Sequence, residues 1–490
     1  MVTKTAERQR LREYDGLREF LNKIDAMGEL QVVEGADWHL EIGTLVELNA
    51  RKKNAKALLF DQIKGYPPGF RVLATSMTNA ARLALVLGLP TNLSDGELVD
   101  ALKGKPKQWE QHALEFPPEE VSTAPWMENV LHGDAINMFL FPTPFWHELD
   151  GGRYLGTGHN VITRDAETGV INAGTYRVQV HDEKTVGLFI SPGKHGRLQM
   201  ENWHNRGEAM PVAVSFGHDP LLFCLGATEI PLSTPEYYVA GAIRGEALPV
   251  VKGPVTGLPI PADAEIVIEG FVPPDEARTE GPFGEWTGYY GSGERPEPVI
   301  KVKALYYRNN PIILGSPPGR PPCDFSYFRS ALRSSLIKEA VERAGVPDVQ
   351  GVWAHPAGGA RLFVVISIKQ RYAGHARQAA FVASQCREGA YLGRYVVVVD
   401  EDIDPTNLED VLWAICTRSD PVNDIDFIRR SYSGVLDPMI RPGTPGKFNS
   451  RAIIDACRPW EWMSEFPAVS ESSPELVAKV REKWKGTLDL

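Results

Sequence analysis

From residue 127 to about 315 the chain is a succession of short runs: NVITRD, GVINAGTYRVQV, TVGLFIS, PVAVSFG, AEIVIEGFV and VIKVKALYYR. Gly, Pro or Asp punctuates them. β-Branched and aromatic residues in runs of this length specify a mostly antiparallel β core, and a barrel is one way to close it. The flanks differ. Leu11, Leu17, Leu21, Ile24 and Met27 approximate helical spacing, which predicts an amphipathic helix over 8–28. ALLFDQI (57–63) and RVLATSM (71–77) read as strands, 79–88 and 95–103 as helices, and PPEEVSTAPW (117–126) as a break. SPPGRPPCD (316–324) is the strongest loop signal, and SYFRSALRSSLIKEAVERAG (326–345) then reads as a long helix ended by Gly345 and Pro347. Residues 348–416 alternate strands and helices, the pattern of a partly parallel sheet. SSPELVAKVREKWKG near the end opens on a helix N-cap. The expected partition is an α/β region over 1–125, a β region over 126–316, a loop and linking helix over 317–346, an α/β region over 347–455 and a tail helix over 456–490.

Charge and composition exclude several classes. With 63 acids against 52 bases over 490 residues, the net charge is −11, and the basic residues form no arm or stripe. Nucleic acid is thereby excluded as a main partner. The N-terminus, MVTKTAERQRLREYDGLREFL, carries charges where a signal peptide needs an apolar stretch. Purely aliphatic runs such as Val396–Val399 are far below membrane-spanning length. Five cysteines without a CxxC fit reduced thiols in a cytoplasm. No GxGxxG, Walker loop, GxSxG or HExxH is present, so dehydrogenase, kinase and serine-hydrolase readings lack support.

Four stretches carry chemistry. In TEGPFGEWTGYYG (279–291), Glu280 and Glu285 bracket Gly281, Pro282 and Gly284, which favour a loop able to bring both carboxylates to one point. Two close acids walled by Trp286 and Tyr289 would have their pKa values pushed apart, leaving a proton to donate. The plainer reading is a hairpin loop with solvated acids. In NAGTYR (172–177), Arg177 at the end of a strand could hold a carboxylate through its fork, although most strand arginines form surface pairs. SPGKHG (191–196) offers Lys194 and His195 to a phosphate or metal, and Glu236 follows Pro235 where a helix begins. Asn172, His195 and Glu236 together would make an oxygen-rich set suited to Mn²⁺ or Mg²⁺.

Taken in order, NAGTYR, SPGKHG, the Glu236 segment before AGAIRG, and EGPFGE resemble the UbiD-like decarboxylases over nearly the whole chain. That resemblance implies an α+β multidomain fold: a small N-terminal α/β region, a split β-barrel of the flavin-reductase type binding prenylated FMN, a linking helix and a C-terminal α/β oligomerisation domain. It implies reversible decarboxylation of an aromatic, heteroaromatic or α,β-unsaturated acid through a covalent adduct with prenylated FMN. Arg177, Glu280 and Glu285 match the catalytic set, with Glu285 as proton donor. Asn172, His195 and Glu236 match the Mn²⁺ (or Mg²⁺) ligands that tie the cofactor phosphate to the protein. Carbonyls near Ala227 and Thr228 fall where K⁺ is held. Thr175 and Tyr176 match positions where the backbone meets the flavin, Lys194 one that faces the phosphate, and Arg387 one where a lysine reaches the cofactor; Arg418 also resembles a family arginine. A flavin prenyltransferase would supply the cofactor, and a dimer or hexamer is implied. A non-catalytic flavin-binding protein and a metal-dependent hydrolase are the alternatives. Access to the pocket is expected to need a hinge between the larger domains, with 316–328 lining the pocket.

Overall fold

The structure is a computed structural model and describes residues 11–487 apart from 232, 292 and 442. A sheet of ten strands forms its centre. Arg153–Gly156, Val178–Val180, Thr185–Leu188, Arg295–Tyr307, Ile266–Val272, Met210–Phe216, Asn160–Arg164 and Ile171–Gly174 lie side by side in that order, every pair antiparallel. The long strand Arg295–Tyr307 also pairs with Ala277–Glu280 and Asn129–His132. The expected antiparallel core is therefore present as a mixed-length sheet. One run expected as a single strand is not: GVINAGTYRVQV breaks into Ile171–Gly174 and Val178–Val180, with Thr175–Arg177 in the gap.

The N-terminal sheet pairs Leu30–Glu34 parallel to Ala57–Asp61, which runs antiparallel to Arg71–Ala74. Its fourth strand, Ile312–Gly315, lies within the range 126–316 but pairs parallel with Arg71–Ala74. The opening helix runs over Gly16–Ala26, shorter than 8–28; residues 8–10 lie outside the described residues. Leu17, Phe20, Leu21 and Ile24 form its buried stripe, whereas Leu11 is exposed.

The helix Asp324–Arg343 leaves the Pro-rich loop and packs on Val349–Ala354. Its first residue, Asp324, is buried and accepts from the backbone N–H of Met77 at 2.6 Å, which ties the helix start to the N-terminal region. The C-terminal sheet orders Val349–Ala354, Phe363–Ile368, Tyr395–Asp400, Phe448–Ala456 and Ile425–Tyr432, with its three middle strands parallel. The helix Pro474–Trp484 starts on Ser473, whose hydroxyl accepts from the N–H of Leu476, and buries none of its side chains. All five cysteines are free thiols. Among the described residues no helix is long and apolar enough to cross a membrane.

Candidate active site

Glu280 ends the strand Ala277–Glu280, and the chain then turns through Gly281 at φ +84°, a conformation that L side chains rarely adopt. Gly151 lies against this turn: its N–H donates to the Pro282 carbonyl at 2.7 Å, and a Cβ there would stand 1.9 Å from the Gly281 oxygen. Past the turn, Glu285 donates its N–H to the Tyr289 carbonyl at 3.0 Å, and Gly288 returns one to Glu285 at 2.8 Å. The loop thus holds itself by backbone bonds and points both acids at one group.

That group is Arg177. Its Nε and Nη2 donate to the two oxygens of Glu280 at 2.7 and 2.8 Å, and its Nη1 to Glu285 Oε1 at 3.2 Å. The first pair is a bidentate fork on a carboxylate that is 1% exposed. Tyr154 donates its hydroxyl to Glu280 Oε1 at 2.9 Å and stacks on Phe283 with ring centroids 3.8 Å apart. Phe189 lies under the guanidinium, 4.3 Å from its carbon. Burial alone would lower the Arg177 pKa, but the hydrogen bonds and charge of Glu280 outweigh it and hold the group above its ordinary value. Glu285 moves up: desolvation raises its pKa against the lowering by Arg177 and Arg295, and the Glu280 charge adds to the rise. The Tyr289 ring is 62% exposed. Trp286 leans instead toward Gly359, where an added Cβ would meet its ring at 2.3 Å.

A second group gathers one turn of backbone earlier. Asn172 and Glu236 are buried, and the Ala173 N–H donates to Glu236 Oε2 at 2.9 Å. The Tyr176 hydroxyl donates to Asn172 Oδ1 at 3.4 Å and accepts from the Gly196 N–H at 3.2 Å, which draws the start of helix His195–His204 to the same point. Lys194 caps that helix and pairs with Glu229 at 3.6 Å. Thr175 donates its N–H to the Gly226 carbonyl and its hydroxyl to the His159 carbonyl, both at 2.9 Å. Burial raises Glu236 to about 7, and among the described residues no lysine or arginine pairs with it. Desolvation and the Lys194 charge lower His195, which favours the neutral imidazole. An amide oxygen, a neutral imidazole and a buried carboxylate lacking a cation fit a hard divalent ion.

Arg387 begins the short helix Arg387–Ala390, where its charge acts on Glu110. Arg418 is locked in a buried network with Asp400 and Asp402 at 2.7–3.1 Å in the C-terminal region. Sequence reasoning missed Tyr154, Phe189 and Phe283; Tyr154 is one aromatic among many strand aromatics. The loop after Gly315 reaches the loop that carries the acids: a Cβ on Gly284 would stand 2.7 Å from the Pro318 carbonyl oxygen.

Three family models match in sequence, for the N-terminal (21–102), Rift-related (119–321) and C-terminal (326–456) domains of 3-octaprenyl-4-hydroxybenzoate carboxy-lyase. The chain belongs to the UbiD family. It is thus a carboxy-lyase of the decarboxylase type. A phenolic acid decarboxylase of Streptomyces sp. (strain D7) is 34% identical over 91% of this chain and 92% of its own length. One from Sedimentibacter hydroxybenzoicus is 33% identical over 91% and 92%. Among solved structures, the UbiD-class enzyme HmfF from Pelotomaculum thermopropionicum in complex with FMN matches with a TM-score of 0.81 at 28% identity, covering 94% of this chain and 98% of that one. The vanillic acid decarboxylase of S. hydroxybenzoicus matches at 0.82 in its open form (31% identity, 96% and 99% covered) and at 0.75 in its closed form (31%, 97% and 100%).

Proposed function

We propose that this UbiD-family member removes CO₂, reversibly and without net oxidation, from an aromatic or heteroaromatic carboxylic acid, with prenylated FMN as its cofactor. α,β-Unsaturated acids fall within the same chemistry. The observation that carries the reading is the buried Arg177–Glu280–Glu285 cluster, an acid pair organised by one guanidinium that simple flavin binding does not require. Relatives named for phenolic and vanillic acids, and a similar structure in complex with FMN, support the substrate class and cofactor. In this reading the ten-stranded sheet is the flavin-binding split barrel. A metal-dependent hydrolase would leave the acid pair without a task.

The bound prenylated flavin supplies an electrophilic carbon and an electron sink. Asn172, His195 and Glu236 would hold Mn²⁺ or Mg²⁺ beside its phosphate, with Lys194 as a neighbouring cation. Thr175 and Tyr176 would shape the backbone along it. Arg177, held by Glu280, orients the substrate carboxylate. Protonated Glu285 gives its proton to the carbon that loses CO₂, so that one carboxylate and one proton become one C–H bond and one CO₂. The resulting Glu285 carboxylate is stabilised by Arg177 and regains a proton from water. We also propose a cytoplasmic homo-oligomer, loaded by a flavin prenyltransferase. The C-terminal region supports the assembly: it exposes Phe427 at 69%, Leu412 at 57% and Phe448 at 48%.

Co-expression with a flavin prenyltransferase and a panel of aryl acids tests the reading by CO₂ release. Glu285→Gln keeps the shape and removes the acid; release is expected to fall by about 10²–10⁴ with the flavin absorbance retained. Normal turnover by that variant would remove Glu285 from the mechanism.

A further inference from the structure

The family likeness puts a potassium ion on main-chain carbonyls near Ala227 and Thr228. In this chain the Ala227 carbonyl already has a cation: Arg329 Nη2 donates to it at 2.6 Å. Arg329 lies early in the helix Asp324–Arg343, with its guanidinium carbon 4.7 Å from the Phe325 ring centroid. Arg333 follows one turn later, and Arg361 arrives just before the strand Phe363–Ile368. Burial is the largest cause that lowers both helix arginines, and the Arg361 charge comes next, leaving Arg329 at about 10 and Arg333 at about 9.

The charges in this cluster do not balance. Glu229 stands 3.7 Å from Arg361 and 3.6 Å from Lys194 and feels four cations, with Glu388 as the other carboxylate acting on Arg333. Among the described residues neither Arg329 nor Arg333 forms an ion pair, and Arg333 Nε is buried without a hydrogen-bond partner. The surplus sits beside the N-terminal end of helix His195–His204, next to the side chains assigned to the metal. Arg329, Arg333 and Arg361 are half-buried, and a surplus of positive charge at that position calls for an anion.

We infer that Arg329 takes the place of the monovalent cation, so that this chain steadies the phosphate end of its flavin with guanidinium charge and needs no potassium. The inference rests on the proposed flavin-binding function. A potassium ion would have to share the Ala227 oxygen with a guanidinium, in a site that already has too much positive charge. Arg suits the exchange because its weakly hydrated, planar group tolerates burial and cannot lose its proton at working pH.

Two measurements decide it. FMN binding to the full chain with Mn²⁺ is followed by flavin fluorescence in potassium chloride and in choline chloride. The wild-type affinities are expected to agree within about twofold, while Arg329→Met weakens FMN about tenfold or more and regains part of the loss only when potassium is added. A tenfold potassium response in the wild type would overturn the inference. Wild-type crystals grown without flavin and soaked in thallium(I) read the carbonyl directly: no anomalous peak beside Ala227 is expected, and a peak there overturns it. Failure to bind FMN in either salt would overturn the flavin assignment beneath the inference, while the thallium crystals still judge the carbonyl by itself.

Discussion

Glu285 must keep a proton until the carbon is ready and then carry the charge left behind, and its neighbours pull in both directions. Desolvation raises its pKa, Arg177 and Arg295 lower it, and Glu280 raises it again, with a net upward shift. The protonated donor is therefore populated at higher pH than for a free glutamate, and it disappears as pH climbs through the raised value. The sign for stability is the same: the fold binds this proton more tightly than the unfolded chain, so stability present below the unfolded pKa is lost as pH rises. The decarboxylation rate is expected to fall on the alkaline side with Glu285 as the controlling group. A pH–rate profile whose alkaline limb is unchanged in Glu285→Asp, where the shorter acid alters both distance and pKa, would contradict that control. Arg177 has a structural task besides. Arg177→Ala leaves Glu280 as a buried carboxylate with only Tyr154 beside it, and should cost about 3–5 kcal/mol in denaturant unfolding. Arg177→Lys keeps the charge but not the fork, so it should recover stability more than activity. These acids were legible in the sequence because Gly and Pro around them advertise a shaped loop. Tyr154 was not, because an aromatic on a strand signals only a buried face, and its hydroxyl partner is set 126 residues away.

At the scale of elements, the site is made where regular structure stops. The run INAGTYRVQV has the composition of one strand, yet it breaks at Thr175–Arg177. Thr175 gives its N–H to Gly226 in a neighbouring helix instead of to a strand, and this local exchange frees Arg177 to turn toward the acid loop. No propensity announces such a break, because the competing partner lies far along the chain. The β-rich runs of the central sheet were readable, as was the capped start of Pro474–Trp484. The acid loop has its own dependence on a remote glycine. Gly151 is expected to be irreplaceable, since Gly151→Ala would drive a Cβ to 1.9 Å from the Gly281 oxygen, with backbone on both sides. That substitution should displace Glu280 and Glu285 together. CO₂ release would then fall about as far as in Glu285→Gln, while the N-terminal sheet, which it does not touch, keeps the chain folded. Far-ultraviolet circular dichroism beside the activity assay checks both halves; wild-type activity in Gly151→Ala would show that the loop tolerates a shift of this size.

The regions of the molecule are stitched together through the site. Ile312–Gly315 leaves the central sheet for the N-terminal one, and the loop after it lays Pro318 on Gly284 and Arg320 on Gly288. On the other side, Trp286 meets Gly359 and faces Arg361, and Gly291 meets Leu436, so the C-terminal region also touches the acid loop. Composition and texture did not mark the strand that crosses between regions, because a four-residue apolar run can pair with any free edge. An acid loop shared between two regions suits closure by rotation of the C-terminal region. The molecule matches the open form of the vanillic acid decarboxylase with a TM-score of 0.82 and its closed form with 0.75. Closure would press Trp286 and the Pro318 loop around the substrate and expel water from Glu285, which raises its pKa further just when a proton is needed. Small-angle scattering is expected to show a smaller radius of gyration once flavin, Mn²⁺ and a tight-binding aryl acid are all present, with little change for the acid alone. Widening the hinge contact with Gly359→Ala, which would push a Cβ to 2.3 Å from the Trp286 ring, should suppress that contraction and lower turnover while flavin affinity stays put. An identical scattering curve with and without the full set of ligands would mean that the pocket is filled by a rigid molecule, and that Glu285 is dry before the substrate arrives.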